Sequence, residues 1–513
     1  MRRLVLAFCA ATLLAGPTVA RTDSAEDIQH RAQVAGYKAS MTCSATFTAG
    51  QTLAEIQANE LSGIYPDYRS VMATLPRAEI DDQAKTVSVR YDLEAPPRIA
   101  AWRPGLGCAQ LPIGAGKDVA SWLPSFESWD SPTGIDRSSA IAASTIVTLP
   151  VHLTEKLDMP VSLAFEDGAY GTGSQTSAIL IVRKGEVVAE RYGRGIDAET
   201  PQRTWSVAKS ITATLLGAAA NDGLIGPEST SLLESWRSGA DPRGDVSLAN
   251  LLHMSSGLES GLRESRNDEV YFGGARVIDK ALTANLEAAP GMRFEYSNND
   301  TLAALRALRE AIGDDEAYLN YPYGEVLWKI GAMRTTLETD WNGDFVGSSQ
   351  VWSTARDLAR IGQLYLNNGQ WAGEQILHPD WLEWVMTPAP AQPDSGFGYG
   401  GGFWLLRDVN GVPGDTFAAM GHRGQALVIV PSKELVIVRR AYDESGGRYF
   451  EIAAFVRDVV AAIDQADAEK EAAELAARLA EDPEEAALVA VERAFQEAER
   501  EAFRSARELS RQN

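Results

Sequence analysis

The chain has 513 residues, 45% of them apolar and 23% charged, ordinary proportions for a globular protein and enough for one large core or two with an appendage. Its 70 acidic residues against 47 basic ones leave a formal net charge of −23, which argues against a nucleic-acid partner and against docking on an anionic membrane surface. Residues 1–20 read as an export signal: Arg2 and Arg3 open it, Leu4 to Gly16 form a short apolar run, and Thr18-Val19-Ala20 ends on the small residue that a signal peptidase needs. The run falls short of the ~20 residues that span a bilayer, so no membrane anchoring is expected after cleavage and the mature chain is expected to be periplasmic or secreted. Cleavage leaves two cysteines, Cys43 and Cys108, which in an oxidising compartment form either a disulfide or two separate buried thiols.

Residues 21–165 carry no chemical motif and are expected to pack as an appendage on the outside of a catalytic unit. Thr86 to Tyr91 alternates like a strand, and Pro96-Pro97 and Arg103-Pro104-Gly105 signal turns. A clearer module spans 166–463. Ala178 to Val182, a Lys184-Gly185-Glu186 turn and Val187 to Tyr192 predict a β-hairpin. Next comes Trp205-Ser206-Val207-Ala208-Lys209, the start of a helix whose Val207, Ile211, Leu215 and Leu216 are spaced for burial. Ser206 and Lys209 are three apart, so a helix puts hydroxyl and amine on one face within mutual reach. Ser206 in the first turn lies where unpaired amides and the helix dipole favour a developing alkoxide. The same field and partial burial lower the lysine pKa toward a value suited to proton transfer.

Further along, Ser247 is placed to cap a short helix with Leu248, Leu251 and Leu252 on its buried face and Gly257 closing it. Tyr296-Ser297-Asn298 follows a Pro290-Gly291 turn, on the kind of loop that enters a cleft. Tyr296 could shuttle a proton there, with Asn298 holding the substrate and the lysine. Two other Tyr-x-Asn runs, at Tyr318 and Tyr365, lie in helix-like segments and read as packing residues. Residues 297 to 310 turn helical, with Leu302, Leu305 and Leu308 on one side. Gly421-His422-Arg423-Gly424-Gln425 opens a second hairpin through Val430, Pro431-Ser432-Lys433 and Val438. An edge strand there can offer an amide to an oxyanion, with Gly424 allowing close approach. A last helix over about 449–463 closes the module. Strands at both ends with helices between predict a sheet closed by the first and last segments, with a helical insertion carrying the serine. Residues 464–513 shift to Ala, Glu and Arg, a charged helical extension read as solvated rather than as a self-association or partner-binding arm.

Ser206-x-x-Lys209, Tyr296-x-Asn298 and His422-x-Gly424, in that order, resemble the penicillin-recognising serine hydrolases. The chain is most similar to the branch related to class C β-lactamases, with D,D-peptidases, family VIII carboxylesterases and 6-aminohexanoate-dimer hydrolases. The resemblance covers about 177–463 and is supported by the stretches Leu251 to Leu258 and Gly347 to Arg360. It implies an α/β (α+β) β-lactamase/transpeptidase-like fold: an antiparallel sheet flanked by helices, plus a helical subdomain, with the site between them. It further implies Ser206 as acylated nucleophile, Lys209 and Tyr296 as the proton-transfer pair, and the amides of Ser206 and Gln425 as oxyanion hole. Which of Lys209 and Tyr296 is the base stays open, because their titrations are coupled. No cofactor and no metal is implied, and the chain has no H-E-x-x-H or G-x-S-x-G.

The third motif of β-lactamases and D,D-peptidases usually begins with a lysine that binds the substrate carboxylate. Here it begins with His422, largely neutral at pH 7. That favours a small-molecule amide or ester of the 6-aminohexanoate-dimer hydrolase or esterase kind. The alternatives are a β-lactamase or D,D-peptidase acting on cell-wall material, and a non-catalytic binding protein on the same fold.

Overall fold

The computed structural model describes residues 25–125, 151–260, 268–447, 450–482 and parts of 487–500. The region expected as an appendage has a core of its own. Helices α1 (Ala25–Phe47), α2 (Leu53–Asn59) and α3 (Pro66–Thr74) pack on an antiparallel sheet of β1 (Glu79–Asp81), β2 (Thr86–Val89), β3 (Arg98–Arg103) and β4 (Gly107–Gln110), paired in that order. The α1 helix has no polar stripe between Val34 and Ala45, where every residue is buried, because its small and apolar side chains are covered from all sides. A capping box between Thr52 and Glu55 starts α2. A disulfide joins Cys43 of α1 to Cys108 of β4. Trp205, Phe272 and Trp352 of the catalytic module sit in this same apolar cluster, so the appendage docks through its core.

Helix α4 (Val151–Ala164) leads into the main sheet. Its strands are β5 (Thr176–Arg183), β6 (Glu186–Tyr192), β7 (Gly398–Tyr399), β8 (Trp404–Leu405), β9 (Phe417–Gly421), β10 (Gln425–Val430) and β11 (Leu435–Ala441). They pair antiparallel in the order β7-β8-β9-β10-β11-β5-β6, so the first hairpin closes against the last strand, Ile181 opposite Ile437. Lys184 and Gly185 both have positive φ, as a two-residue turn matched to strand twist requires.

One face of the sheet buries Ile179, Ile181 and Ile437 against α4 and α9 (Ile452–Glu481). The other buries Leu180, Val436 and Val438 against α5 (Val207–Asn221) and α8 (Ala355–Leu366). Helices α6 (Leu248–Leu252) and α7 (Asn298–Ile312) pack beside α5 as a helical subdomain, with Leu302, Leu305 and Leu308 buried. Ser247 caps α6 in a box with Asn250, but the helix closes at His253, and Gly257 lies beyond it against the carbonyl of Ala288. Tyr318 and Tyr365 are buried packing residues.

The last helix does not end where the composition changes. α9 runs through the expected boundary at 464 without a break, and Val459, Val460, Ile463 and Ala466 are buried on one side. The charged stretch begins as the exposed continuation of a core helix, tied back by Arg183 to Asp467 and Lys156 to Glu469.

Candidate active site

Thr204 and Trp205 deliver the serine under constraint. Arg203 pairs with Trp352 in a small three-stranded sheet, and the Thr204 amide donates to the Val351 carbonyl at 2.8 Å. Trp205 then takes φ 51°, a left-handed conformation that costs a non-glycine residue of order 1–3 kcal/mol. Surroundings over-determine it: the Arg203 guanidinium lies 3.7 Å from the ring centroid, and Tyr65 and His422 meet the ring edge-to-face. The turn sets Ser206 just ahead of α5, where its carbonyl accepts from the Lys209 amide at 3.0 Å. The Ser206 amide itself donates to no carbonyl among the described residues.

One turn on, Lys209 is buried with its Nζ 3.3 Å from Ser206 Oγ, 2.5 Å from Asn298 Oδ1 and 3.1 Å from the Ser348 carbonyl. Burial pulls the amine down to about 7, only partly opposed by the charge of Asp300. Asp300, in turn, is pushed up to about 7 by its own burial while accepting from Ser256 Oγ at 2.8 Å. A neutral amine has two N–H donors and one lone pair. Asn298 and Ser348 take the donors, which leaves the lone pair for the Ser206 hydroxyl. Tyr296 comes from the turn before α7, with its ring 4.8 Å from Lys209 Nζ and stacked on Trp404. Its phenol hydrogen-bonds with Ser206, and burial pushes it up to about 12, so it stays protonated at neutral pH. Ser206, Tyr296 and Asn298 are half-buried, so the group opens toward solvent with the lysine beneath it.

At the third motif the structure corrects the sequence reading. Gly424, expected to let substrate approach the backbone, instead packs on the buried Arg439–Asp443 ion pair, where an added Cβ would collide with both side chains. The close approach belongs to Gly421, three residues earlier at the end of β9. A Cβ on it would lie 2.5 Å from the Thr204 carbonyl and 3.2 Å from the Ser206 nitrogen. Gln425 stands across the ladder from Gly421, and its side chain is turned inward to the carbonyls of Arg423 and Ala441 and to Arg440. His422 is brought to the site, but as part of an aromatic wall: it stacks on Tyr65 of the appendage at 5.0 Å and shares a hydrogen bond with Ser445 Oγ.

Sequence reasoning passed over four contributors. Ser348 lay in a stretch quoted only for its resemblance, Asp300 two residues past Asn298 had no motif to flag it, Tyr65 comes from a region without motifs, and Gly421 was eclipsed by Gly424.

A serine and a lysine one turn apart at a helix start, facing the end of an antiparallel strand with a helical subdomain alongside, define the β-lactamase class of fold. The chain belongs to the Beta-lactamase family, whose pattern matches residues 164–461, and so stands among the hydrolases of that fold. It is 26% identical over 295 residues to the 6-aminohexanoate-dimer hydrolase of Paenarthrobacter ureafaciens, spanning 52% of this chain and 72% of that one. Among solved structures it is similar to a family VIII carboxylesterase, at 17% identity over 62% of this chain and 99% of that one, with a TM-score of 0.50. A penicillin-binding-protein homologue from Caulobacter crescentus matches at 13% identity over 62% and 98% of the two chains, with a TM-score of 0.49.

Proposed function

We propose that this chain is a serine hydrolase that cleaves an amide or ester bond through an acyl-enzyme on Ser206. The observation that carries the reading is the buried Lys209 amine, pulled down to about 7 and placed 3.3 Å from the Ser206 hydroxyl. Lys209 accepts the serine proton as Oγ adds to the substrate carbonyl carbon. The oxyanion so formed is held by the Ser206 amide and by an amide of the strand end at Gly421. Collapse expels the amine or alcohol, which takes a proton relayed through Tyr296. Water then adds to the acyl carbon, and its proton returns through the same pair to Ser206 Oγ.

The charge around the site supports a substrate without a carboxylate at the third motif. Phe417 to Gly421 contains no lysine, and the adjacent Arg423 spends its buried guanidinium on the carbonyls of Asn59, Ser62, Tyr442 and Asp443. A short acyl ester, or a linear amide of the kind for which the Paenarthrobacter relative is named, whose carboxylate lies a five-methylene chain beyond the scissile nitrogen, fits better than a cell-wall stem peptide, whose carboxylate is one carbon from it. The Cys43–Cys108 disulfide supports an oxidising compartment and so the export read from residues 1–20, which lie outside the described residues.

Intact-mass spectrometry tests the nucleophile, using p-nitrophenyl esters, a linear amide and a cephalosporin with the wild type and Ser206→Ala. An acyl adduct or turnover present in the wild type and lost in the variant is expected, with the esters or the amide preferred. Turnover that survives in Ser206→Ala overturns the mechanism; preference for the cephalosporin overturns the substrate reading.

A further inference from the structure

The appendage contains a cavity of about 340 Å³ that the chemistry at Ser206 does not use. Lys38 and Thr42 of α1 line it on one side, Leu53 and Ile56 of α2 on another, and Leu61 and Arg77 complete the wall. Most of that surface is apolar, which suits an alkyl chain. The exception is Lys38. The residue is only 8% exposed, and its side chain's one hydrogen bond among the described residues is a long 3.4 Å contact to the Leu75 carbonyl. Burial holds its ammonium below the usual lysine value, and among the described residues no acidic neighbour acts to raise it.

A cation left in an apolar cavity without an anion is costly, and such groups are ordinarily paired. Thr42 adds a second unfilled valence: its Oγ1 is buried and has no partner among the described residues. Both basic side chains of the wall, Lys38 and the exposed Arg77, repel a cation, and a neutral alkane would leave Lys38 as it is. Leu53, 64% exposed, adds an apolar side chain where the wall meets solvent.

We propose that this cavity is a binding site for a single-chain aliphatic carboxylate, with the carboxylate at Lys38 and the chain against Ile56 and Leu61. The site is separate from the catalytic groove. α2 forms part of its wall, and the main-chain carbonyl of the helix's last residue, Asn59, accepts from Arg423 of the third motif.

Isothermal titration calorimetry on the full chain carrying Ser206→Ala, which cannot turn over an acyl ligand, gives the direct test with decanoate and with decanol. Saturable one-to-one binding of decanoate is expected, about tenfold or more tighter than decanol, since only the acid makes a charge-assisted bond to Lys38. Lys38→Met is expected to remove that advantage and bring the two ligands to similar affinity. Leu53→Glu, an exposed substitution, guards against misfolding of the first variant: it should weaken decanoate several-fold while leaving the melting temperature unchanged. Absence of saturable decanoate binding, equal affinity for decanol, or decanoate affinity unmoved by both variants overturns the proposal.

Discussion

Among the described residues Lys209 has no carboxylate as a hydrogen-bond partner: its partners are a hydroxyl, an amide oxygen and a main-chain carbonyl. Burial therefore wins over the more distant charge of Asp300, and the amine titrates near 7 instead of near 10.5. Only the neutral amine can take the serine proton. The kcat/KM for an ester is thus expected to fall about tenfold per pH unit below about 7 and to level off above it, as a pH–rate series from pH 5 to 9 would read. A rate that is flat from pH 5 to 9, or that is still rising tenfold per unit at pH 9, would exclude a Lys209 amine lowered to about 7 as the base. In the proposed mechanism Tyr296, held protonated, serves the leaving group. Tyr296→Phe should cost about a hundredfold or more on a linear amide and much less on a p-nitrophenyl ester, whose leaving group needs no proton. Equal losses on both substrates would assign the phenol to the attack step. Ser206 and Lys209 could be read from the sequence because a three-residue helical spacing fixes their geometry by itself, and Tyr296 because it follows the Pro290-Gly291 turn in a motif of its own. Ser348 and Asp300 could not: one acts through a main-chain carbonyl, which any residue possesses, and the other through burial that no local pattern records.

At the scale of elements, the β9–β10 hairpin decides which glycine matters. Two glycines flank His422-Arg423, and sequence cannot tell which meets the serine because that depends on the path of the turn. Gly421 has an ordinary extended conformation, φ −133°, so its requirement is purely one of space beside Thr204 and Ser206. Gly424 has φ 80° and backs onto the bidentate Arg439–Asp443 pair. Gly421→Ala is expected to cut kcat/KM about a hundredfold with a small change in melting temperature, because it displaces the nucleophile's turn. Gly424→Ala should instead destabilise by about 3–5 kcal/mol through left-handed strain and the disturbed buried ion pair. Paired kinetics and urea unfolding separate the two, and a stability loss at Gly421 matching that at Gly424 would refute the distinction. Both hairpins were legible because Gly and Pro turns punctuate period-two runs. The α1 helix was not, since burial on every side erases the polar face that marks a helix, and the end of α9 was not, since composition changes at 464 while the backbone continues.

Across the whole molecule, appendage and module are joined at two junctions, one of them at the active site's edge. Arg423 ties the end of α2 to the third motif, and Glu338 lies at the other junction. The Glu338 carboxylate accepts from Ser44 Oγ of α1 at 2.6 Å and from the Cys108 amide of β4 at 3.0 Å. Burial outweighs these bonds and the charges of Arg203 and Arg103, and raises the acid from 4.5 to about 7. Between those values the folded chain holds a proton that the unfolded chain releases. The stability contributed by this group is therefore fully present below about 4.5 and is lost as pH rises through about 7. Asp300 shifts in the same direction, so the wild type alone would not identify the source. Glu338→Gln keeps the shape and one donor-acceptor group but cannot ionise. Its stability relative to the wild type is expected to improve between pH 5 and pH 8 by on the order of 2–3 kcal/mol, read from urea unfolding at both values. A difference that is the same at pH 5 and pH 8 would mean that Glu338 is ionised in the folded chain, with its neighbouring arginines, and not burial, setting its charge.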